Sequence, residues 1–141
     1  MNGAAMQLNS ILETCLYVDD LAAAQTFYRD TLGLVVVEYH PPRHLFLRCG
    51  EQMLLLFRAD QSSNHGELPP HGCQGSGHLA FGVREEELAP WQERLTAAGV
   101  AIEKVVHWPH GGTSFYFRDP AGNSLEMAVP RMWGLPSRSV S

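Results

Sequence analysis

Three residues of this sequence could bind a metal ion and lie in strand-like segments, namely Glu13, His78 and Glu126. The segments are ILETCLYV, GHLAFGV and SLEMAV, whose alternating apolar residues are typical of a β-strand with one buried face. Glu126 lies between Leu125 and Met127, which mark that buried face. A carboxylate removed from water on a sheet face is costly unless it is paired, protonated or bound to a cation. One imidazole and two carboxylates would favour a divalent metal and leave positions open for water and substrate.

The strands that carry these residues belong to two copies of one unit, offset by about 66 residues. Each copy opens with a strand and continues with an amphipathic helix, LAAAQTFYRDTL in the first copy and REEELAPWQERLTAAG in the second. Asp19 and Asp20 are suited to capping the first helix, and Gly33 and Gly99 to ending the two helices. Three strand-like runs follow each helix, so each unit is predicted to be β-α-β-β-β: LVVVEYH, RHLFLRC and QMLLLFRA, then VAIEKVV, TSFYFRD and SLEMAV.

The repeat also predicts the domain organisation. We expect a single domain over residues 1–141, of α+β class, with a first unit at 8–58, a linker at 59–76, a second unit at 77–130 and a tail at 131–141. The linker is rich in Gly, Pro and Ser. The tail carries Met132 and Trp133 and is apolar enough to pack against the domain.

The faces of the opening strands follow from alternation of side chains along a strand. In the first copy the apolar set predicted to face the helices is Leu12, Leu16 and Val18. The opposite face then carries Glu13, Cys15 and Tyr17. In the second copy the same reasoning turns His78 away from the helices, at the position equivalent to Glu13.

The last strands of the two copies can be aligned by their glycines. When Gly50 is aligned with Gly122, Leu54 occupies the position in the first copy that is equivalent to Glu126 in the second. The four equivalent positions are then predicted to be Glu13, Leu54, His78 and Glu126, three of which could bind a metal on the sheet face turned away from the helices.

Composition limits the partners of the chain. A formal net charge of −5 and a pI near 5.7 argue against binding to nucleic acid or an anionic membrane. Neither a signal peptide nor an apolar run of about 18 residues is recognised, so we expect a cytoplasmic protein. The three cysteines are odd in number and lack CxxC spacing, which favours neither disulfides nor a cysteine zinc site. The expected partner is a small molecule or another protein.

Three segments together resemble the vicinal oxygen chelate superfamily: ETCLYVDDLAAAQTFYRDTLGL, GHLAFGV and FYFRDPAGNSLE. This superfamily includes glyoxalase I, fosfomycin-resistance thiol transferases, bleomycin-resistance proteins, methylmalonyl-CoA epimerase and extradiol dioxygenases. The resemblance covers about residues 10 to 130. It implies two βαβββ repeats that form a cupped mixed sheet around a divalent metal, with the helices on the outer face, and a homodimer.

The resemblance also implies roles for individual residues. Glu13, His78 and Glu126 fall where members place metal ligands in the first, fifth and eighth strands. The metal would be Fe²⁺, Mn²⁺, Ni²⁺ or Zn²⁺. Leu54 falls near the remaining ligand position, which glyoxalase I usually fills with Glu, and this weighs against glyoxalase I activity.

A second local match is to the extradiol dioxygenase signature. By that resemblance His107 would donate or accept a proton near bound oxygen, and Tyr116 would hydrogen-bond the substrate or an intermediate. Residues expected to contact the substrate are Cys15, Tyr17, Leu54 and Arg48.

Three functions remain open from the sequence. The first is metal-dependent dioxygenation, the second is lyase or isomerase chemistry of the glyoxalase type, and the third is non-catalytic ligand binding like that of the bleomycin-resistance proteins. A passive apolar groove gains nothing from two carboxylates, which favours an enzyme. Whether one chain supplies all three metal ligands, or two subunits share them, is not decided by the sequence.

Overall fold

The computed structural model describes residues 5–64 and 66–137, so the last four residues of the predicted tail lie outside the described residues. The first unit contains β1 (Glu13–Tyr17), α1 (Leu21–Gln25), a π-helical extension of α1 (Thr26–Thr31), β2 (Val35–His40), β3 (His44–Cys49) and β4 (Gln52–Phe57). A short helix, α2 (Ala59–Ser62), begins the linker. The second unit contains β5 (His78–Gly82), a 3₁₀ turn (Glu85–Glu87), α3 (Leu88–Ala97), β6 (Lys104–His107), β7 (Thr113–Arg118) and β8 (Ser124–Ala128), and a 3₁₀ turn (Pro130–Trp133) follows.

The two units form two four-stranded mixed sheets of the same topology. The first has the strand order β1-β4-β3-β2 and the second β5-β8-β7-β6, with the first and last strands of each unit parallel and the other pairs antiparallel. The predicted α+β class and βαβββ repeat are therefore confirmed. The helices begin as the sequence predicts: Asp20 accepts a hydrogen bond from the N–H of Ala23 at 3.0 Å and caps α1.

The hydrophobic core joins the helix-bearing faces of both sheets. Leu16, Leu54 and Leu56 from the first sheet belong to the same buried cluster as Phe117 and Leu125 from the second. In each sheet the other face is turned away from the helices, and we call it the open face. The first open face carries Glu13, Cys15 and Tyr17 of β1, and the second carries His78, Ala80 and Gly82 of β5.

The structure corrects two placements on the helix-bearing side. Leu12 was predicted to be covered by helices, but it lies just before β1 and is 69% exposed. Leu54 was predicted to be the equivalent of Glu126, but it is a core residue. Glu126 pairs with Ala80 and Tyr116, whereas the residue that pairs with Cys15 and Phe46 at the equivalent place is Leu55.

The reason for the second error is the length of the turn before the last strand. Two residues separate β3 from β4, at 50–51, while five residues separate β7 from β8, at 119–123. Aligning the turn glycines therefore misplaces the strands by one residue, and one residue reverses the face of every side chain.

No helix in residues 5–64 and 66–137 is both long and apolar enough to span a membrane.

Candidate metal centre

On the second open face, residues of four adjacent strands form rows, and three residues of one row are polar. One row runs Ala80, Glu126, Tyr116 and Lys104 across β5, β8, β7 and β6. Since directly paired residues in a sheet point to the same face, these side chains are neighbours on one surface. A cleft of about 390 Å³ lies at the β6 side of this row, lined by Glu103, Lys104, Val106 and Tyr116.

Glu126 is the most unusual residue of this surface, because its carboxylate is buried. The side chain is 6% exposed, and its Oε1 atom lies 3.4 Å from Nε2 of His78. The Oε2 atom is buried and has no hydrogen-bond partner among the described residues. A buried carboxylate oxygen without a donor is costly, so the geometry favours a cation or a proton at this position.

His78 presents the nitrogen that a metal would need. Its Nδ1 atom lies 3.0 Å from the carbonyl oxygen of Ser124, which only accepts, so Nδ1 carries the proton. In the neutral imidazole the lone pair is then on Nε2, the atom that faces Glu126. A nitrogen lone pair and a carboxylate oxygen are brought together favourably by a proton or by a metal ion. The hydrogen bond from Nδ1 to a carbonyl is also the usual support of a metal-ligating histidine. The donor set therefore fits a divalent metal.

Tyr116 lies next to His78 and pairs with Glu126. Its ring stacks on the ring of His78 with a centroid distance of 6.1 Å. Burial raises the pKa of Tyr116, and the negative charge of Glu126 raises it further. The hydroxyl therefore keeps its proton near neutral pH and is available as a hydrogen-bond donor on this face.

The structure does not bring Glu13 to this pair within one chain. Glu13 is the exposed first residue of β1 and pairs with Met53 of the first sheet. In residues 5–64 and 66–137 no three His, Cys, Asp or Glu side chains come together in a way that could hold a metal ion. Metal binding by Glu13, His78 and Glu126 together thus stays a prediction, with two of the three side chains adjacent.

The predicted substrate residues Cys15 and Tyr17 share the first open face with Glu13. Burial raises the pKa of the Cys15 thiol, and the neighbouring Glu13 adds to that effect. The thiol is thus a weak nucleophile at neutral pH and acts as a small apolar group. The hydroxyl of Tyr17 lies 2.7 Å from Nδ1 of His71, a linker residue whose ring packs edge-on against Phe57.

The two remaining predicted substrate residues lie on opposite faces of the first sheet. Arg48 is exposed and pairs with Met53, which places it in one row with Glu13 on the first open face. Leu54 is buried on the helix-bearing face and cannot contact a ligand on the open face. The apolar residue at the position equivalent to Glu126 is Leu55, so the first sheet still offers no second carboxylate there.

The placement predicted for His107 is wrong. In the β6–β7 pair, Lys104 and Val106 share the open face with Tyr116 and Ser114, whereas His107 pairs with Thr113 on the other side of the sheet. Its Nδ1 atom lies 3.1 Å from the hydroxyl of Thr113. His107 therefore cannot act on a ligand held beside Glu126 and Tyr116.

Sequence reasoning also missed Ser114, a residue of this surface that Trp108 contacts. Ser114 is fully buried and its hydroxyl accepts a hydrogen bond from Nε1 of Trp108 at 2.9 Å. Alternation along TSFYFR places Ser114 on the same face as Tyr116, so the signal for it was present in the sequence. Trp108 lies in a turn, where alternation gives no orientation.

The fold of paired βαβββ units is shared with one known superfamily. The family model of the Glyoxalase/Bleomycin resistance protein/Dioxygenase superfamily matches residues 8–127, and the chain belongs to that superfamily. It is 35% identical over 122 residues to glutathione transferase FosA of Serratia marcescens, covering 86% of this chain and 82% of that protein.

Solved structures give the same result. The chain is similar to the crystal structure of lactoylglutathione lyase from Agrobacterium tumefaciens, with 42% sequence identity and a TM-score of 0.89. The match covers 92% of this chain and 100% of that chain. A glyoxalase-related enzyme from Fulvimarina pelagi is 30% identical, with a TM-score of 0.70, covering 95% of this chain and 98% of that chain. The resemblance seen in the sequence is therefore confirmed at the level of the superfamily.

Proposed function

We propose that this protein is a divalent-metal-dependent enzyme of the glyoxalase type, which binds a small substrate through two neighbouring oxygens. His78 and Glu126 would hold the metal, together with Glu13. The observation that carries the proposal is the buried carboxylate of Glu126: its Oε2 atom lacks a partner among the described residues, and its Oε1 atom faces Nε2 of His78 at 3.4 Å. A metal bound there would polarise a substrate oxygen as a Lewis acid and orient the substrate.

The residues around the pair would bind and orient the substrate. Tyr116 offers a protonated hydroxyl next to both ligands, because its pKa is raised by burial and by Glu126. Lys104 follows Tyr116 in the same row and borders the cleft, so an anionic group of the substrate would be bound there. The small residues Ala80 and Gly82 leave space above β5.

Glu13 would come from a second copy of the chain. It is exposed, and two exposed apolar residues precede it, Ile11 at 71% and Leu12 at 69%. A single chain has no reason to leave these side chains in water beside a carboxylate, whereas a homodimer that pairs the first open face of one copy with the second open face of the other would cover them. Trp133, 75% exposed in the tail, is a further candidate contact.

Transferase or lyase chemistry with a thiol cosubstrate ranks above dioxygenation. Two relatives are named for glutathione, as glutathione transferase FosA and lactoylglutathione lyase. Dioxygenation had rested on His107 and Tyr116, and His107 lies on the wrong face of the sheet. Dioxygenation remains a prediction from the resemblance alone.

Non-catalytic ligand binding is the remaining alternative, and Glu126 argues against it. A groove that only binds an apolar molecule would be more stable with an apolar residue at this place, as the first sheet has in Leu55.

Elemental analysis of protein purified without chelators, beside Glu126→Gln, tests the metal site. We expect near-stoichiometric metal in the wild type and its loss in the variant, because an amide is a poor ligand beside a neutral imidazole. The matched control is Glu93→Gln on the exposed surface of α3, which should keep the metal. A wild type that takes up no Fe²⁺, Mn²⁺, Ni²⁺ or Zn²⁺ would leave the non-catalytic alternative.

Mixing two inactive variants tests the shared site. Glu13→Ala and Glu126→Ala homodimers should each lack metal. A heterodimer refolded from the two variants should regain one metal, because one of its two sites then has all three native ligands. No recovery in a verified heterodimer would mean that subunits do not share the site.

A further inference from the structure

Arg43 places its guanidinium on the first open face. The residue directly precedes β3, and its guanidinium carbon lies 5.1 Å from the centre of the Phe57 ring. Phe57 pairs with Tyr17 of β1 and with His44 of β3, so its side chain belongs to the first open face. Arg43 is half-buried at this place. A positive charge therefore lies against one end of the face.

His44 gives the guanidinium a fixed direction. Nη1 of Arg43 lies 2.8 Å from Nδ1 of His44. Because a guanidinium only donates, Nδ1 must accept, and the imidazole proton is on Nε2. Nε2 contacts Oε2 of Glu38 and donates to it. The imidazole is buried and stacks on the ring of Phe46 with the centroids 4.0 Å apart, so packing also sets its orientation.

The charge of Arg43 is not neutralised by any carboxylate in the described part of the chain. Its partners there are the imidazole of His44 and the ring of Phe57, and Glu38 reaches it only through His44. Five other arginines each pair with a carboxylate: Arg29 with Asp30, Arg58 with Asp60, Arg84 with Glu87, Arg118 with Glu103 and Arg131 with Glu85. The donors of Arg43 that His44 does not use form the planar fork that binds carboxylate or phosphate oxygens.

The linker adds a further donor beside the same ring. The imidazole of His71 packs edge-on against Phe57 with the centroids 4.6 Å apart, and its Nδ1 atom lies 2.7 Å from the hydroxyl of Tyr17. The N–H of His71 donates to the carbonyl of Ser62 at 2.9 Å, which holds the linker at this place. If the hydroxyl donates to Nδ1, His71 keeps a proton on Nε2, and if Nδ1 donates, the hydroxyl keeps its own. In both cases the pair retains one donor for an anion.

We propose that Arg43 is the centre of an oxyanion-binding site on the first open face, which takes a carboxylate or a phosphate group, and that His44 and Glu38 position its guanidinium. The inference deepens the proposed function and rests on it in one respect, because the anion would be part of the small substrate or cosubstrate. Tyr17, at this site, lies four residues along β1 from Glu13. The group bound by Arg43 is therefore distinct from the two oxygens at the metal.

Titration of metal-free protein with inorganic phosphate and, separately, with acetate tests the site. The protein is first dialysed into a buffer without carboxylate or phosphate, and the Nε–H resonance of Arg43 is followed by NMR. We expect a saturable shift with at least one anion, and the tighter of the two identifies the chemical class. The internal control is Arg94, whose guanidinium lies 4.9 Å from the ring of Trp91 in α3 and should show no saturable shift. No saturable shift of Arg43 with either anion overturns the inference.

Arg43→Gln tests whether the guanidinium is the group that binds. With the backbone amide of Phe57 as the reporter, we expect about tenfold weaker binding, as for the loss of a charge-assisted pair of hydrogen bonds. The matched control is Arg94→Gln, which removes the same charge from a guanidinium that also lies over a ring, and it should bind the anion as the wild type does. Unchanged amide spectra away from the site show that both variants are folded. Equal affinities of the two variants would refute the assignment to Arg43.

His44→Phe tests the positioning role. The phenyl ring keeps the stack on Phe46 but has no nitrogen to accept from Arg43, and we expect anion binding to weaken about threefold. In the Arg43→Gln background the same substitution should change nothing, because no guanidinium is left to orient. A loss of the same size in both backgrounds would mean that His44 affects the site by packing alone and would contradict its role.

These titrations use metal-free protein, so the inference and the proposed function fail separately. A wild type that takes up no divalent metal overturns the proposed function, while the response of Arg43 to phosphate and acetate still decides the oxyanion site. A wild type that binds metal through Glu126 but shows no anion binding at Arg43 overturns the inference alone.

Discussion

The two βαβββ units have the same topology, but the side chains on their open faces differ in size and polarity. At equivalent positions the first unit has Tyr17, Phe57 and Leu55 where the second has Gly82, Ala128 and Glu126. At these three positions the first face is bulky and largely apolar, and the second has two small residues beside a carboxylate. The homodimer proposed above would place both kinds of surface around one cavity.

The turns before the last strands differ as well. The second unit closes with five residues built around Asp119, whose carboxylate accepts hydrogen bonds from the hydroxyl of Tyr28 at 2.7 Å, the side chain of Asn123 at 2.9 Å and the backbone N–H of Asn123 at 2.8 Å. Asn123 in turn donates to the carbonyl of Tyr17 at 3.0 Å. The first unit has only the two-residue turn of Gly50 and Glu51. We call these contacts of Asp119 and Asn123 with Tyr28 and Tyr17 the clamp, since they join the two units; only the turn of the second unit supplies such a pair of side chains.

Removing that clamp should have the largest effect. In Asp119→Ala the buried hydroxyl of Tyr28 and the amide of Asn123 lose their acceptor, and we expect a loss of about 4 kcal/mol in the free energy of unfolding. Urea denaturation measures it. Glu51→Ala in the corresponding turn of the first unit should change stability by less than about 0.5 kcal/mol. A small loss for Asp119→Ala would mean that the clamp is not what joins the units.

Making the first unit resemble the second is the next test. Leu55→Glu places a carboxylate where Leu55 is 8% exposed, and burial of the charge should cost about 3 kcal/mol. Urea denaturation in the presence of EDTA measures the cost without metal. Leu55→Met keeps an apolar side chain and should cost less than about 1.5 kcal/mol. Equal losses would mean that this face is more hydrated than the structure indicates.

One hydrogen bond of the clamp should matter less than the whole. Burial raises the pKa of Tyr28, and Asp119 raises it further, so this hydroxyl stays protonated as a donor. Tyr28→Phe removes a buried hydrogen bond to a carboxylate and should lower the free energy of unfolding by about 2 kcal/mol. Tyr39→Phe, at a residue that is 37% exposed, is the control and should be nearly neutral. Urea denaturation measures the loss of unfolding free energy in both variants, compared at equal m-values. Equal losses for Tyr28→Phe and Tyr39→Phe would contradict the prediction.

Making the second unit resemble the first should have the smallest effect, and it is stabilising. Glu126→Leu removes the unpartnered buried oxygen, and we expect metal-free protein in EDTA to gain about 1 kcal/mol. Added metal should reverse the order, because only the wild type is stabilised by binding it. Thermal unfolding with and without metal measures both. A destabilised metal-free variant would mean that Glu126 is a structural residue.

The sequence was sufficient for the fold and for part of the site. Alternation along the strands and the capped helices predicted both units, and the repeat identified His78 and Glu126 as residues of one face. These features are local, so they can be predicted from neighbouring residues.

Apart from the placement of Leu12, which lies outside β1, the errors concern relations between strands. Leu54 was aligned with Glu126 through the turn glycines, but the length of the turn sets the register and makes Leu55 the equivalent residue. The role of His107 near bound oxygen was taken from the resemblance, and the pairing of β6 with β7 that turns it to the other face cannot be derived from either strand alone. The separation of Glu13 from His78 depends on how whole units pack, which no local pattern specifies.

The position of the clamp has a consequence for how such a protein evolves after duplication of its unit. Asp119 and Asn123 lie in the turn that leads into β8, so the second repeat keeps together the clamp side chains and two of the three proposed metal ligands, His78 and Glu126. Cys15, Phe46 and Leu55 of the first repeat have neither task. Conservative apolar substitutions there can change which molecules the proposed cavity accepts without removing a clamp residue or a proposed metal ligand.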